Sequence, residues 1–112
     1  MTGPDKADLP YLKKLGELAG PEAHGFHAFH EAAERADGAI PEKYRQLAML
    51  AVALTTQCSL CIENHAAKAR EVGATRQEVS EIVYLAAAVR AGGAVAHGIF
   101  ALRCFETAEP LT

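Results

Sequence analysis

The chain has no block of lysine and arginine. Its 11 basic and 14 acidic residues are interspersed and sum to a formal charge of −3, so a nucleic-acid partner has no electrostatic footprint to bind. A long hydrophobic run is also missing. The longest runs, LAMLAVAL at 47–54 among them, fall far short of the roughly 20 residues that cross a bilayer as a helix. The start shows no basic segment followed by an apolar one, the pattern of a secretory leader. These absences lead to the expectation of a soluble, cytoplasmic protein with neither a membrane nor a nucleic-acid partner. No stretch alternates with period two, so strands are not expected. There is no internal repeat, no low-complexity segment and no linker long enough to divide the chain. The 112 residues are read as one domain, 1–112.

Cysteine is scarce, with three in the chain. In a reducing cytosol a close pair serves catalysis or metal binding more often than it staples a fold. The third, Cys104 in ALRCFE, reads as a small buried hydrophobe. What is abundant is alanine: half of the residues are apolar, and 23 of the 112 are Ala. Alanine adds little buried area per side chain, and a chain this short buries only about two thirds of its unfolded surface. The protomer is therefore expected to be marginal alone and to form a homo-oligomer.

Gly and Pro cut the sequence into helix-sized pieces. A first helix is predicted over 6–19, with Leu12, Leu15 and Leu18 at helical spacing. Gly20-Pro21 ends it, and Pro21 suits a first helical position. A second helix runs to about Ala36, and DGAIP at 37–41 is a turn. A third covers 41–56, with Leu47, Leu50, Ala51 and Leu54 as its apolar stripe. TTQC marks a short break, and 59–72 form a fourth helix stopped by Gly73. TRQE at 75–78 is a capping box, Thr75 capping and Glu78 answering; it opens a fifth helix through about Arg90. Gly92-Gly93 is expected to interrupt, with a sixth helix over 94–106. The fold class is all-α, a compact bundle of about six helices.

The chemistry is concentrated in QCSLCIENH, 57–65. Cys58, Cys61 and His65 fall at i, i+3 and i+7. With Cys58 at a helix entrance, the unpaired N–H groups of the first turn stabilise a thiolate and lower its pKa. Cys61 follows one turn later, within disulfide reach. His65 is i+4 from Cys61 on the same face and titrates near neutrality, so it can take a thiol proton. Two thiols and a base are the minimum equipment for thiol redox work. The same atoms also allow a metal reading: three ligands, with a fourth such as His97 needed to complete a structural zinc site. A third possibility is three core residues brought together by chance.

The stretches RQLAMLAVALTTQCSLCIENHAAKAREVGAT and EIVYLAAAVRAGGAVAHG resemble the carboxymuconolactone decarboxylase family, and more narrowly its alkylhydroperoxidase-D-like branch, over roughly residues 26–103. The resemblance implies an all-helical protomer assembled as trimers or hexamers. It implies a thiol-dependent oxidoreductase, a peroxidase or disulfide reductase cycling a Cys58–Cys61 dithiol. In that scheme Cys61 attacks peroxide, Cys58 resolves the sulfenic acid, and His65 belongs to a proton relay. The implied partners are a peroxide or disulfide substrate and an external dithiol reductant, such as a lipoyl protein or a peroxiredoxin system. No organic cofactor or metal is required. The branch that names the family is a lyase acting on a lactone acid, and it lacks the cysteine pair.

Two positions depart from the pattern. The family's glutamate, twelve residues before the first cysteine, is Gln46 here, and an amide cannot accept a proton at neutral pH. Glu42, one turn earlier on the same face, is the candidate substitute; its other reading is a solvated first-turn carboxylate. Glu63 lies inside the motif, and Leu60 stands where the branch often has a histidine. A Gln46→Glu variant that gains turnover would show that the missing carboxylate limits the protein. His24, His27 and His30 recur at i+3, but i and i+6 diverge by about 120°, so the run does not present three ligands to one metal. They read as partly exposed, with a role for His27 or His30 near the thiols left open. His97 lines a pocket or sits in a core or interface, and Tyr84 reads as core or interface. The alternatives to a redox enzyme are an oligomeric binding or scaffold protein of the same fold, a lyase, and a metal-binding domain.

Overall fold

The structure, a computed structural model, describes residues 6–111. After a 3-10 turn, Lys6–Asp8, five α-helices follow: α1 (Leu9–Leu18), α2 (Gly20–Ala33), α3 (Glu42–Thr56), α4 (Ser59–Glu71) and α5 (Arg76–Glu106). No strand occurs among the described residues.

Helix α3 is the hub. It packs against both α4 and α5, while α1 packs on α2. Helix α3 supplies most of the core: Leu47 and Leu50 of the predicted stripe are buried, joined by Ala53, with Ala69 of α4 and Ala86 of α5 closing on them, while Ala51 and Leu54 of that stripe are only half-buried. Polar staples fix the helix ends. Arg45 donates to the carbonyls of Ala33 and Ile40 (both 2.9 Å), tying the end of α2 and its following loop to α3. Arg90 of α5 donates to the Thr55 carbonyl at the end of α3. The capping box is formed: Thr75 Oγ1 accepts from Glu78 N–H and Glu78 accepts from Thr75 N–H. Glu78 also pairs with Lys43 at 2.9 Å, locking the start of α5 to the start of α3.

The predicted break at Gly92-Gly93 does not form. Helix α5 runs through it for 31 residues. Each glycine costs roughly 1 kcal/mol against alanine in a helix interior, and the surrounding alanines carry the helix across. A Cβ added at Gly92 or Gly93 would meet nothing within 4 Å, so no close approach inside the protomer requires them. By length and composition α5 is also apolar enough to cross a bilayer, and almost none of it is buried. Cys104 and Tyr84, read as interior from the sequence, are exposed on this helix.

The expected compact bundle is not what a single protomer forms. The radius of gyration is 18.9 Å, against about 13 Å for a compact chain of this length. The accessible surface is 8953 Å², against about 5,900 Å² from the scaling for monomers of this mass. Exposed apolar side chains account for the character of the surplus: Leu12, Leu15 and Leu18 on α1, Phe29 on α2, and Val89, Val95, Ile99 and Phe105 on α5.

Candidate functional site

Helix α3 ends in a reversal. Gln57 adopts a left-handed conformation (φ 57°) and the Cys58 N–H reaches back to the Ala53 carbonyl at 3.1 Å. This is the 6→1 bond of a Schellman stop. The chain therefore leaves α3 at Gln57 and enters α4 at once, with Cys58 as N-cap. Cys58 Sγ accepts from the Cys61 N–H at 3.2 Å, the placement that favours negative charge on sulfur. Cys58 and Cys61 are joined as a disulfide, with Cα atoms 5.2 Å apart. Both are half-buried.

One turn on, His65 is buried at 5 % exposure. Its Nδ1 lies 2.8 Å from Gln46 Oε1, itself buried on α3. The other end of the Gln46 amide, Nε2, donates to Glu34 Oε2 at 2.7 Å. Glu34, at the end of α2, is the anchor of the cluster. Lys68 of α4 contacts both its oxygens at 2.9 Å, and His30 Nδ1 lies 2.8 Å from Oε1. The His30 and His65 rings stand 5.7 Å apart.

The electrostatics follow from these contacts. Burial alone would raise the Glu34 pKa, but hydrogen bonds from Lys68 and Gln46 and the charges of Lys68 and His30 outweigh it and hold the carboxyl below its ordinary range. Burial is the main reason that the His65 pKa is lowered; the Glu34 charge opposes it, and His30 and Lys68 add to it. A neutral imidazole at this position can take a proton from a cysteine when the pair is reduced.

Two recesses open on the disulfide. One, of about 580 Å³, is walled by Leu9, Leu12, Phe26 and Leu60 and reaches Cys58, Cys61, His30 and His65. The other, of about 330 Å³, meets the same Cys61, His30 and His65 from the Met49–Val52 side. A third recess, about 300 Å³ and polar, lies behind Gln46 between Glu31, Glu34, Glu42, Lys68 and Glu71. The imidazoles and the amide thus stand between an apolar approach to sulfur and a charged approach to Glu34.

The comparisons with known proteins agree with this architecture. Residues 21–103 match the carboxymuconolactone decarboxylase family. The chain belongs to that family. A crystal structure of an apo carboxymuconolactone decarboxylase family protein from Legionella pneumophila superposes with a TM-score of 0.69 at 30% identity, over 90% of this chain and 89% of that one. A crystal structure of a protein from Methanobacterium thermoautotrophicum gives a TM-score of 0.61 at 36% identity, over 70% of this chain and 91% of that one. An uncharacterized protein encoded in the cox locus of Paracoccus denitrificans is 48% identical over 67 residues, which are 60% of each chain. The aligned stretch is thus less than two thirds of that relative.

For this carboxymuconolactone decarboxylase family member, the structure brings Cys58, Cys61, His65 and Gln46 together as one site. Glu42 lines the polar recess behind Gln46, but the carboxylate bonded to the amide is Glu34's. Sequence reasoning missed Glu34 and Lys68, and left His30 open. The available signal was local: His30 and Glu34 are an i, i+4 pair of opposite polarity on α2. His24 and His27 stay exposed. His97 is exposed, its Nδ1 3.1 Å from the Gly93 carbonyl of its own helix. No group of three His, Cys, Asp or Glu among the described residues is arranged to hold a metal ion.

Proposed function

We propose that the protein is a thiol-dependent oxidoreductase of the alkylhydroperoxidase-D-like kind, cycling Cys58 and Cys61 between dithiol and disulfide with His65 carrying the proton. The observation that supports it most is the N-cap cysteine pair, here a disulfide, one helical turn from a buried imidazole whose Nδ1 is already engaged by Gln46. The His65 Nε2 takes the Cys61 thiol proton. The Cys61 thiolate attacks the terminal oxygen of a hydroperoxide; an S–O bond forms, the O–O bond breaks, and the departing alkoxide takes the proton from His65. Cys58, losing its own proton to His65, attacks the Cys61 sulfenic acid. The S–S bond forms, the S–O bond breaks, and the hydroxide leaves with that proton as water.

An external dithiol then attacks Cys61. Cys58 departs as a thiolate held by the Cys61 N–H, and a lower leaving-group pKa speeds that step. The dithiol ends as a disulfide, so two electrons pass from reductant to peroxide through the chain. A disulfide substrate would be reduced by the same pair running the exchange in the other direction. The apolar walls of the larger recess suit an aliphatic peroxide or an aliphatic dithiol.

Homo-oligomerisation, as trimer or hexamer, belongs to this reading. The surplus of roughly 3,000 Å² over a compact monomer is the scale of an obligate interface, and its apolar α1 and α5 faces need cover. The test of function is peroxide consumption with an external dithiol in the wild type, Cys61→Ser and Cys58→Ser. Loss of turnover in both variants supports the proposal. Unchanged turnover in Cys61→Ser sinks it.

A further inference from the structure

An amide between an imidazole and a carboxylate has a direction, and here the carboxylate sets it. Ionised Glu34 only accepts hydrogen bonds. The Gln46 group 2.7 Å from it must therefore be the NH₂. That leaves Oε1, an acceptor, facing His65 Nδ1 at 2.8 Å. His65 must then carry its proton on Nδ1, and Nε2 is left with an open lone pair. Turning the amide over would set two acceptors against each other at Glu34 and would leave His65 in the opposite tautomer. Glu34 itself is 3.9 Å from His65 Nδ1, too far for a direct bond, so its hold on the tautomer passes through Gln46, beside the direct attraction of its charge. Lys68, touching both Glu34 oxygens, keeps the carboxylate ionised and so keeps it an acceptor.

We propose that Glu34 is the positioning residue of this site: acting through Gln46, it fixes His65 as the tautomer whose Nε2 is free to take a thiol proton. The carboxylate that the family pattern places on α3 is thereby supplied from the end of α2, with an amide as the connector. This deepens the thiol reading and rests on it for its consequence, though not for its geometry. The charged and titratable groups facing His65 are Glu34 and His30 from α2 and Lys68 and Cys61 from its own helix, with Gln46 from α3; Glu34 alone among them both bonds the amide and fixes its sense.

The test uses the reduced full-length protein. Long-range proton–nitrogen correlation reads the His65 tautomer directly, and alkylation rate against pH reads thiol activation. The wild type should show the Nδ1–H form at neutral pH. In Glu34→Gln the residue at 34 can donate or accept, so the direction is lost; His65 should shift to a mixture or to the Nε2–H form, and alkylation should slow by at least about tenfold. The exchanged pair, Glu34→Gln with Gln46→Glu, puts an acceptor directly on Nδ1 and should restore both readouts. A merely structural tie would not move the tautomer. A wild-type His65 protonated on Nε2, an unmoved tautomer in Glu34→Gln, or an exchanged pair without recovery each overturns the proposal. If Glu34→Gln does not fold, the wild-type tautomer and the exchanged pair decide. A tautomer that follows Glu34 in a protein that turns over no peroxide or disulfide would leave this inference standing and remove the proposed function.

Discussion

Restoring the family's glutamate is the perturbation that the sequence invites, and the contacts of Gln46 determine its outcome. In Gln46→Glu the new carboxyl meets Glu34, whose Oε2 lies 2.7 Å from the native amide nitrogen. Two carboxylate charges with centres about 4 Å apart repel by about 4 kcal/mol at an effective dielectric constant of 20, which corresponds to about 3 pKa units. Lys68 holds the charge on Glu34, so the new residue at 46 takes the proton and keeps it to about pH 7. Protonated, it copies the native amide: its O–H donates to Glu34 and its carbonyl oxygen accepts from His65. Turnover should therefore not rise. A group whose folded pKa is raised contributes its stability below the unfolded value and loses it as pH climbs to the folded one. Relative to wild type, Gln46→Glu should lose about 3 kcal/mol of unfolding free energy between pH 5 and pH 8. Urea titrations of both proteins at matched protomer concentration measure this. A stability difference that does not change with pH, or a rise in turnover, would refute the placement of Glu34 against residue 46.

Other consequences are open to measurement. A Cβ on Gly38 would fall inside the Arg45 guanidinium, so Gly38→Ala should displace that side chain and lose its two carbonyl contacts. The cost should be about 1–3 kcal/mol and should vanish in an Arg45→Ala background, because the two changes act through one contact; additive losses would show that Gly38 matters for another reason. Acid should destabilise the fold in two stages. His65, depressed from 6.5 chiefly by burial, opposes folding once pH falls below that value, because the unfolded chain takes up the proton first. Glu34, held below 4.5, contributes above that value and loses its contribution as pH falls further. Denaturation midpoints should thus decline from about pH 6.5 and more steeply below about 4.5, and His65→Gln should remove the upper stage. A flat profile between pH 7 and pH 5 would contradict the burial of a neutral His65.

The parts of this molecule written in local spacing were legible in its sequence. CxxCxxxH needs only one helical turn and its start to bring two sulfurs and an imidazole together, and the reversal at Gln57 was foreshadowed by the poor helix formers of TTQC. The capping box at Thr75 and Glu78 is a three-residue pattern, and it is formed. Contacts between helices were not legible. Glu34 bonds Gln46 and Lys68 across separations of 12 and 34 residues, and nothing in its neighbourhood distinguishes it from Glu31 except the His30 four positions before it. Glu42 drew attention because it shares a helix with Gln46, yet helix α2 delivers the carboxylate from outside. The double glycine misled because its intrinsic cost is small against the cooperativity of an alanine-rich helix. Compactness was overestimated for a related reason: periodicity identifies an apolar face but does not say which molecule covers it.

The left-handed residue at the end of α3 divides the site mechanically. Beyond it the sulfur groups belong to α4: Cys58 caps that helix, Cys61 and His65 lie in its first two turns, and their mutual spacing is set by helical geometry, while α5 is tied back to α3. Gln46 rides on α3 and Glu34 on α2. Any rotation about the α3–α4 junction would leave the imidazole where it is relative to the sulfurs while changing what it is bonded to behind. The two sulfurs and the imidazole are therefore carried on one element, and the hydrogen bonds behind the imidazole are contacts between neighbouring elements. A shift of α2 or α3 by a fraction of an ångström would therefore alter the hydrogen bonds behind His65 while leaving its spacing to the sulfurs unchanged.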